Sequence, residues 1–245
     1  MQHAIVSQTE WLAARKALLA KEKEFTKARD ELSRQRRQLP WVKVDKTYKF
    51  DTAEGSKTLS TLFGGKSQLI VYHFMFHPDW MAGCKSCSFW ADNFDRSVPH
   101  LAARDTALVA ISRAPLEKLE AFERRMGLTF RWVSSAGNSF NRDFGVQFTR
   151  DELQAGKADY NYEMRTFPVE DAPGISVFFR NEAGEVFHSY SCYSRGLDMM
   201  NAAYHYLDLT PKGRDEDALP HSMQWLRIRD EYQAAPQSCC CDGKS

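Results

Sequence analysis

Residues 69–90 read Leu-Ile-Val-Tyr-His-Phe-Met-Phe-His-Pro-Asp-Trp-Met-Ala-Gly-Cys-Lys-Ser-Cys-Ser-Phe-Trp. The apolar run that opens this stretch is long enough for a buried β-strand, and the Pro, Asp and Gly residues after it predict a short loop. A helix is predicted to follow at once, from Ser86 to about Arg104. Two cysteines, Cys84 and Cys87, therefore lie at a predicted strand-to-helix junction.

Strands and helices alternate on both sides of this junction. The pattern predicts a strand at 47–51, a brief helix or turn at 59–63, a strand at 105–112, a helix at 115–126, a strand at 129–135, a short helix at 138–145, a hairpin at 175–190 and a helix at 197–207. Strands separated by helices imply a parallel sheet that is covered on both faces. A strand, a Cys-x-x-Cys helix, further β/α units and a final hairpin plus helix follow the order of a thioredoxin-like fold. The predicted fold class is therefore α/β, with a thioredoxin-like central sheet flanked by helices.

The chain is predicted to have three parts. Residues 1–40 form an amphipathic helical arm, and residues 41–210 form the thioredoxin-like domain. Within this domain, the polar segment 149–170 is interpreted as a surface insertion before the final hairpin. Residues 211–245 are predicted to contain a short helix over 222–232 and a flexible tail that carries cysteines.

The arm is predicted to be one long helix. Ser7-Gln8-Thr9-Glu10 has the form of a capping box, and the helix can continue to Leu39 because Pro40 then opposes it. Large apolar residues recur every seven positions, at Trp11, Leu18, Phe25, Leu32 and Leu39. The alternate core positions, Ala14, Lys21, Ala28 and Gln35, are small or polar, so a coiled coil is only weakly indicated. The arm is expected to lie on its own domain or on a partner subunit, with a homo-oligomer through the arm as the lesser alternative.

The charge of the chain argues against a polyanionic partner. The formal net charge is +1 and charged residues make up 27% of the sequence. Residues 15–37 hold nine Lys or Arg against four Asp or Glu, but a solvated helix face explains this better than nucleic-acid binding, because no recognisable binding motif accompanies it. No apolar run approaches the roughly 18 residues that a membrane span requires. We expect neither nucleic acid nor a membrane as partner.

The cysteine distribution favours a cytoplasmic protein. The six cysteines are Cys84, Cys87, Cys192, Cys239, Cys240 and Cys241. A secreted domain stapled by disulfides would spread its cysteines through the fold. The amino terminus also lacks the basic lead and apolar stretch of a signal peptide. Structural disulfides are not expected, and Cys192 and the three tail cysteines are interpreted as a packed thiol and a solvated tail.

The Cys84–Cys87 pair is the candidate catalytic site. Free amides and the helix dipole at a helix amino terminus favour a thiolate at Cys84, and Lys85 is expected to add a positive charge beside it. Cys87, one helical turn later, is placed to resolve a mixed disulfide. The interpretation is exchange with a protein or small-molecule disulfide or thiol, without a cofactor.

Three alternatives compete with exchange. His73 and His77 would complete a zinc site with the two cysteines, although His73 lies inside the apolar run, where a hydrogen-bonded core histidine is more common. The two thiols could also be inert. Lastly, the chain could be a non-enzymatic binding or assembly protein that keeps the fold and uses the helical arm as its contact element.

Several motifs carry a resemblance to a known family. They are Tyr72-His73-Phe74-Met75-Phe76, Gly83-Cys84-Lys85-Ser86-Cys87-Ser88, Ser112-Arg113-Ala114-Pro115, Arg125-Met126-Gly127, Phe140-Asn141-Arg142-Asp143-Phe144, His188-Ser189-Tyr190-Ser191 and Arg195-Gly196. Together they resemble a bacterial thioredoxin-like family of otherwise uncharacterised proteins, described as predicted dithiol-disulfide oxidoreductases. The resemblance covers most of the chain, including the arm, and implies that Cys84 and Cys87 are the redox pair.

Two departures from better understood relatives bear on this expectation. Thioredoxins carry a proline immediately before the strand that faces the dithiol, whereas here Gly174 holds that place and Pro173 lies one position earlier. Peroxiredoxins need Pro and Thr seven and three residues before the reactive cysteine, and His77 and Met81 stand there instead. A peroxiredoxin-type peroxidase is therefore disfavoured, and substrate docking is expected to differ from that of thioredoxin.

Overall fold

Helices and strands alternate through most of the chain. The computed structural model describes residues 3–232. Its α-helices are α1 (Gln8–Arg36), α2 (Leu59–Leu62), α3 (Lys85–Phe94), α4 (Val98–Ala103), α5 (Leu116–Met126), α6 (Phe140–Asp143), α7 (Arg150–Gln154) and α8 (Ala202–Leu207). Its strands are β1 (Val42–Lys43), β2 (Lys49–Thr52), β3 (Gly55–Thr58), β4 (Gln68–His73), β5 (Thr106–Ser112), β6 (Arg131–Ser134), β7 (Ala158–Tyr160), β8 (Glu163–Arg165), β9 (Gly174–Arg180) and β10 (Val186–Tyr193).

The chain forms two compact units, of which the first is Met1–Trp41 and contains α1. The predicted capping box is present, because the Glu10 amide donates to Ser7 Oγ and the Ser7 amide donates to a Glu10 carboxylate oxygen. The helix ends at Arg36 and not at the predicted Leu39, because the amides of Gln38 and Leu39 bond to carbonyls three residues back. No residue of α1 is buried. Within residues 3–232, no helix is both long enough and apolar enough to cross a bilayer.

The second unit, Val42–Ser245, is built on an eight-stranded sheet. The strand order is β1-β10-β9-β4-β5-β6-β2-β3. β4, β5 and β6 run parallel, whereas β9 lies antiparallel to β4, and β10 lies antiparallel to β9. Parallel strands joined through helices, followed by an antiparallel hairpin on the other side of the central strand, are the thioredoxin-like arrangement. The predicted fold class is confirmed.

Both faces of the central strand are buried. Leu69 and Val71 pack on one face with a cluster that includes Phe140 from α6. Tyr72 packs on the opposite face, in a cluster that includes Trp90 from α3 and side chains of α5. This alternation places α3, and with it the cysteine pair, on the Tyr72 face of the sheet.

The helix predicted over residues 86–104 is interrupted. It consists of α3, a 3-10 turn at Asp95–Ser97 and α4. The Asp95 carboxylate accepts hydrogen bonds from the amides of Thr129 and Phe130, which fixes the break against the start of β6. Pro99 lies in the first turn of α4, where its missing N–H costs nothing.

The segment 149–170, predicted as a polar surface insertion, has structure of its own. It forms α7 and the small β7-β8 sheet, and it buries Ala158 and Tyr160 against Val146, Phe148 and Tyr193. The sequence is polar because the strand faces alternate: Asp159 is exposed between two buried neighbours. The segment therefore contributes buried side chains to a cluster that it shares with the rest of the domain.

The helix predicted over residues 222–232 is wrong. The chain there makes turns and a 3-10 helix at Arg229–Tyr232. Leu226 and Ile228 are both buried, and their spacing of two residues suits extended backbone and not a helix. Met223 also has a positive φ of 65°, which a helix excludes. Cys239, Cys240 and Cys241 lie outside the described residues.

Candidate active site

Cys84 lies at the amino terminus of α3, as the sequence predicts. It is the N-cap residue of the helix, and it is partly exposed. Its amide donates to the Met75 carbonyl at 3.0 Å, just beyond the end of β4. The loop from Phe76 to Gly83 therefore closes on itself, and it returns the cysteine to the carboxyl end of the central strand.

Several hydrogen bonds converge on the Cys84 sulfur. The Cys87 thiol donates to it, and the backbone amides of Cys87 and Ser86 point to it from the first turn of the helix. These donors lower the pKa of Cys84 from 9.0 to about 6. Lys85 is not among the groups that most lower the pKa of Cys84, and its ammonium group donates to the Gln224 carbonyl at 3.1 Å.

Cys87 has the opposite character. Its side chain is 2% exposed, within the cluster on the Tyr72 face of the sheet. Burial and the neighbouring Cys84 sulfur raise the pKa of Cys87 well above its ordinary value. The pair is therefore unequal at neutral pH: one sulfur is a partly exposed thiolate, and the other is a buried thiol that donates to it.

The lowered pKa of Cys84 gives a direct prediction. Because the thiolate is the reacting form, alkylation of Cys84 by iodoacetamide should rise with pH through a midpoint near 6 and stay constant above it. The measurement is the alkylation rate of the Cys84 peptide in the full chain, followed by mass spectrometry so that other thiols do not interfere. A midpoint near 9 would show that the helix amides and Cys87 do not stabilise the thiolate.

The loop before Cys84 is held from several sides. The Lys118 ammonium group, on α5, donates to the carbonyls of Pro78 and Trp80. His77 Nε2 lies 3.3 Å from a Glu170 carboxylate oxygen. At the end of the loop, a Cβ on Gly83 would lie only 2.6 Å from the Phe74 ring, so only glycine lets the chain pass this ring. The position of Cys84 is thus set by packing as well as by its own hydrogen bonds.

The segment expected to face the dithiol begins at Gly174, the first residue of β9. Gly174 pairs with His73 of β4 on one side and with Tyr193 of β10 on the other. A Cβ at Gly174 would lie 2.7 Å from the Tyr193 ring. The Pro173 carbonyl, one residue earlier, accepts a hydrogen bond from the Tyr160 hydroxyl at 2.8 Å. The ring of Tyr193 therefore occupies the space that a side chain at position 174 would need.

Comparison with known proteins identifies the family. Residues 1–232 match the family described as "Bacterial protein of unknown function (DUF899)". The chain belongs to this family. No match was found among curated proteins.

Solved structures that are similar to this DUF899 protein include a peroxidoxin and a peroxiredoxin. Peroxidoxin BcpB from Mycobacterium tuberculosis is 16% identical, with a TM-score of 0.45 over 67% of this chain and 94% of that chain. Peroxiredoxin Q from Xanthomonas campestris is 13% identical, with a TM-score of 0.43 over 63% of this chain and 87% of that chain. At such low identities, these similarities give no information on the chemistry of the DUF899 protein.

The zinc alternative is not supported by the positions of its ligands in the DUF899 protein. His73 Nε2 is hydrogen-bonded to Ser176 Oγ at 2.9 Å, inside the core on the face of the sheet opposite Tyr72. His77 lies in the loop before Cys84, and its ring contacts the Glu170 carboxylate from a distant part of the chain. Among residues 3–232, no three His, Cys, Asp or Glu side chains are grouped as a metal site would require. The two histidines serve the core and the loop.

The structure adds residues that the sequence interpretation of this family member missed. The Tyr72 hydroxyl donates to the Cys87 carbonyl at 3.2 Å, and it is one of the groups that act to lower the pKa of the Cys87 thiol. The Met75 amide hydrogen-bonds the Cys87 sulfur. The signal available for Tyr72 was a hydroxyl within an otherwise apolar strand. Cys192 is buried in the same cluster as the pair.

Proposed function

We propose that the chain is a thiol-disulfide oxidoreductase that cycles Cys84 and Cys87 between a dithiol and a disulfide. The observation that supports this proposal is the asymmetry of the pair. Cys84 is partly exposed with a pKa of about 6, whereas Cys87 is buried with a raised pKa one helical turn later. Inert structural thiols would not need a nucleophile and a protected partner in contact with each other.

In the first step, the Cys84 thiolate attacks one sulfur of a substrate disulfide. A bond forms between the Cys84 sulfur and that substrate sulfur, and the substrate's own S–S bond breaks. The other half of the substrate leaves as a thiolate and takes a proton from water. The Cys87 thiol and the helix amides lower the pKa of Cys84 to about 6, so Cys84 is deprotonated at neutral pH and no separate base is needed for this attack.

In the second step, Cys87 loses its proton to solvent and attacks the Cys84 sulfur. The Cys84–Cys87 disulfide forms, the mixed disulfide breaks, and the second half of the substrate leaves as a thiolate. Two electrons have then passed from the dithiol to the substrate. The reverse sequence oxidises a dithiol substrate. The substrate is a protein or small-molecule disulfide or thiol, since the chemistry asks only for an accessible sulfur.

The redox state of the pair tests this proposal. The full chain is equilibrated in glutathione and dithiothreitol buffers that span about −150 to −350 mV, and the peptides that contain Cys84 and Cys87 are mapped by mass. We expect a mutual disulfide that forms over a two-electron transition, with a tenfold change in the ratio of oxidised to reduced pair for about every 30 mV. Thiols that stay reduced at every potential, or that form only separate glutathione adducts, would exclude the proposal.

A further inference from the structure

The Tyr72 hydroxyl lies against the resolving cysteine. Tyr72 is on β4 and is 1% exposed, and Cys87 is on α3 and is 2% exposed. The hydroxyl donates to the Cys87 carbonyl at 3.2 Å and also lies within hydrogen-bonding reach of the Cys87 sulfur. One phenol proton therefore has two possible acceptors on the same residue, and a small rotation of the hydroxyl changes between them.

The second step of exchange creates a negative charge on the Cys87 sulfur, which is buried. Cys87 must become a thiolate inside an apolar cluster, and burial opposes this. Two groups act in favour of the charge, namely the Met75 amide and the Tyr72 hydroxyl. The titratable side chains that face Cys87 are Cys84 on its own helix, Tyr72 on β4 and Tyr160 on β7. During the second step Cys84 is held in the mixed disulfide, so it carries no charge.

We infer that the Tyr72 hydroxyl is a catalytic hydrogen-bond donor in the second step, turning from the Cys87 carbonyl to the Cys87 sulfur as that sulfur loses its proton. The inference rests on the proposed exchange reaction. The proton of Cys87 passes to solvent and then to the departing substrate thiolate, and the electron pair of the new S–S bond comes from the Cys87 sulfur. Tyr72 keeps its own proton throughout.

The environment of Tyr72 fits a donor and not a base. Burial, more than any other effect, raises the pKa of the Tyr72 hydroxyl well above its ordinary value. A phenol that stays protonated can stabilise the thiolate, but it cannot take the proton from Cys87. Tyr160 does not share this role, because its hydroxyl is used by the Pro173 carbonyl and the Ser194 amide.

The test separates the two steps in time. The reduced full chain is mixed with the aryl disulfide dithiobis(nitrobenzoate), quenched in acid and mapped by mass. The Cys84 mixed disulfide should appear first, and the Cys84–Cys87 disulfide should replace it. In Tyr72→Phe, we expect the first step to stay within about twofold of the native rate, because the Cys87 thiol and the helix amides that donate to Cys84 are all kept.

The second step of Tyr72→Phe should slow. Loss of a hydrogen bond to a charged sulfur should move the pH midpoint of this step upward by about one to two units. A more basic thiolate is also more nucleophilic, which offsets part of the loss, so the rate at pH 7 should fall about three- to tenfold. Tyr204→Phe is the matched control. Tyr204 is buried in the same cluster and its hydroxyl bonds to Glu216, away from the sulfurs, so both steps should keep their native rates and pH profiles.

The measurements distinguish failure of the proposed function from failure of the role of Tyr72. If the native chain forms no Cys84–Cys87 disulfide, the proposed function fails. If the native chain completes both steps and Tyr72→Phe matches it in the rate and pH midpoint of the second step, the role of Tyr72 fails. Should Tyr72→Phe not fold, 3-fluorotyrosine placed at position 72 keeps the shape and is a stronger donor, and it should lower the pH midpoint of the second step. An unchanged midpoint there would equally overturn the inference.

Discussion

Cys84→Ser should abolish disulfide exchange. A serine hydroxyl at this position remains protonated at neutral pH, and the helix amides that stabilise a thiolate at a pKa of about 6 cannot bring an alcohol into that range. We expect the catalysed reduction of a protein disulfide by dithiothreitol, corrected for the uncatalysed reaction, to fall by at least about a thousandfold, as is usual when a nucleophile is removed. The variant should fold normally, because Cys84 is partly exposed and the hydrogen bond from its backbone amide to the Met75 carbonyl is kept.

Cys87→Ser should separate the two steps. The first attack still takes place at Cys84, but the serine cannot release the product, so the mixed disulfide persists. The serine hydroxyl can still donate to the Cys84 sulfur in place of the thiol, and the helix amides are unchanged, so Cys84 keeps its nucleophilic form. In intact-mass measurements the variant should carry one stable adduct on Cys84. Expressed in cells, it should hold physiological substrates as covalent complexes, which would identify them.

Cys192→Ala is the control for both cysteine variants. It removes a buried thiol from the same cluster and leaves both cysteines of the pair in place, so turnover should stay within about twofold of the native rate. Equal and undiminished turnover in Cys84→Ser and Cys87→Ser would contradict the assigned roles. A mixed disulfide found on Cys87 and not on Cys84 would reverse them.

The fold and the cysteine pair were predictable because they depend on local signals. The apolar run of β4, the turn residues after it and the helix after Cys84 are adjacent in the chain, and their order defines the junction. The helix terminus predicted a lowered pKa for Cys84, but the larger effects, which are the donor thiol of Cys87 and the burial of Cys87, depend on packing. The capping box at Ser7 and Glu10 could be recognised from local sequence, because its partners are three residues apart.

The remaining features depend on contacts between distant parts of the chain. Lys85 was expected to place its charge beside Cys84, and nothing in the sequence indicated that its ammonium group also bonds the carbonyl of Gln224, far along the chain. Tyr72 resembles any other core residue of a strand until α3 is placed over it. The hydrophobic residues near the end of the chain suggested a helix, whereas Leu226 and Ile228 are buried in an extended segment. A short stretch of sequence does not show which distant residues will contact it in the fold.

Gly83→Ala should destabilise the protein and impair the site together. The Cβ that alanine adds would lie 2.6 Å from Phe74 Cε1 and 3.0 Å from Phe122 Cε1. Neither ring can easily yield, because both are buried and Phe74 packs on Trp132 with ring centroids 4.6 Å apart. The clash must therefore move the rings or the loop that ends at Cys84. Overpacking of this kind costs about 1–3 kcal/mol of unfolding free energy.

Movement of the loop should also be visible in the chemistry of Cys84. If the backbone at Gly83 shifts, the Cys84 sulfur loses alignment with the amides of Ser86 and Cys87, and its alkylation midpoint should rise from about 6 toward 9. Gly137→Ala is the matched control, because a Cβ there has no heavy atom within 4 Å, so stability should change by less than about 0.5 kcal/mol. Urea unfolding and the iodoacetamide pH profile, measured on both variants, decide the point. A Gly83→Ala protein with native stability and a native midpoint would show that the loop does not position Cys84 by packing.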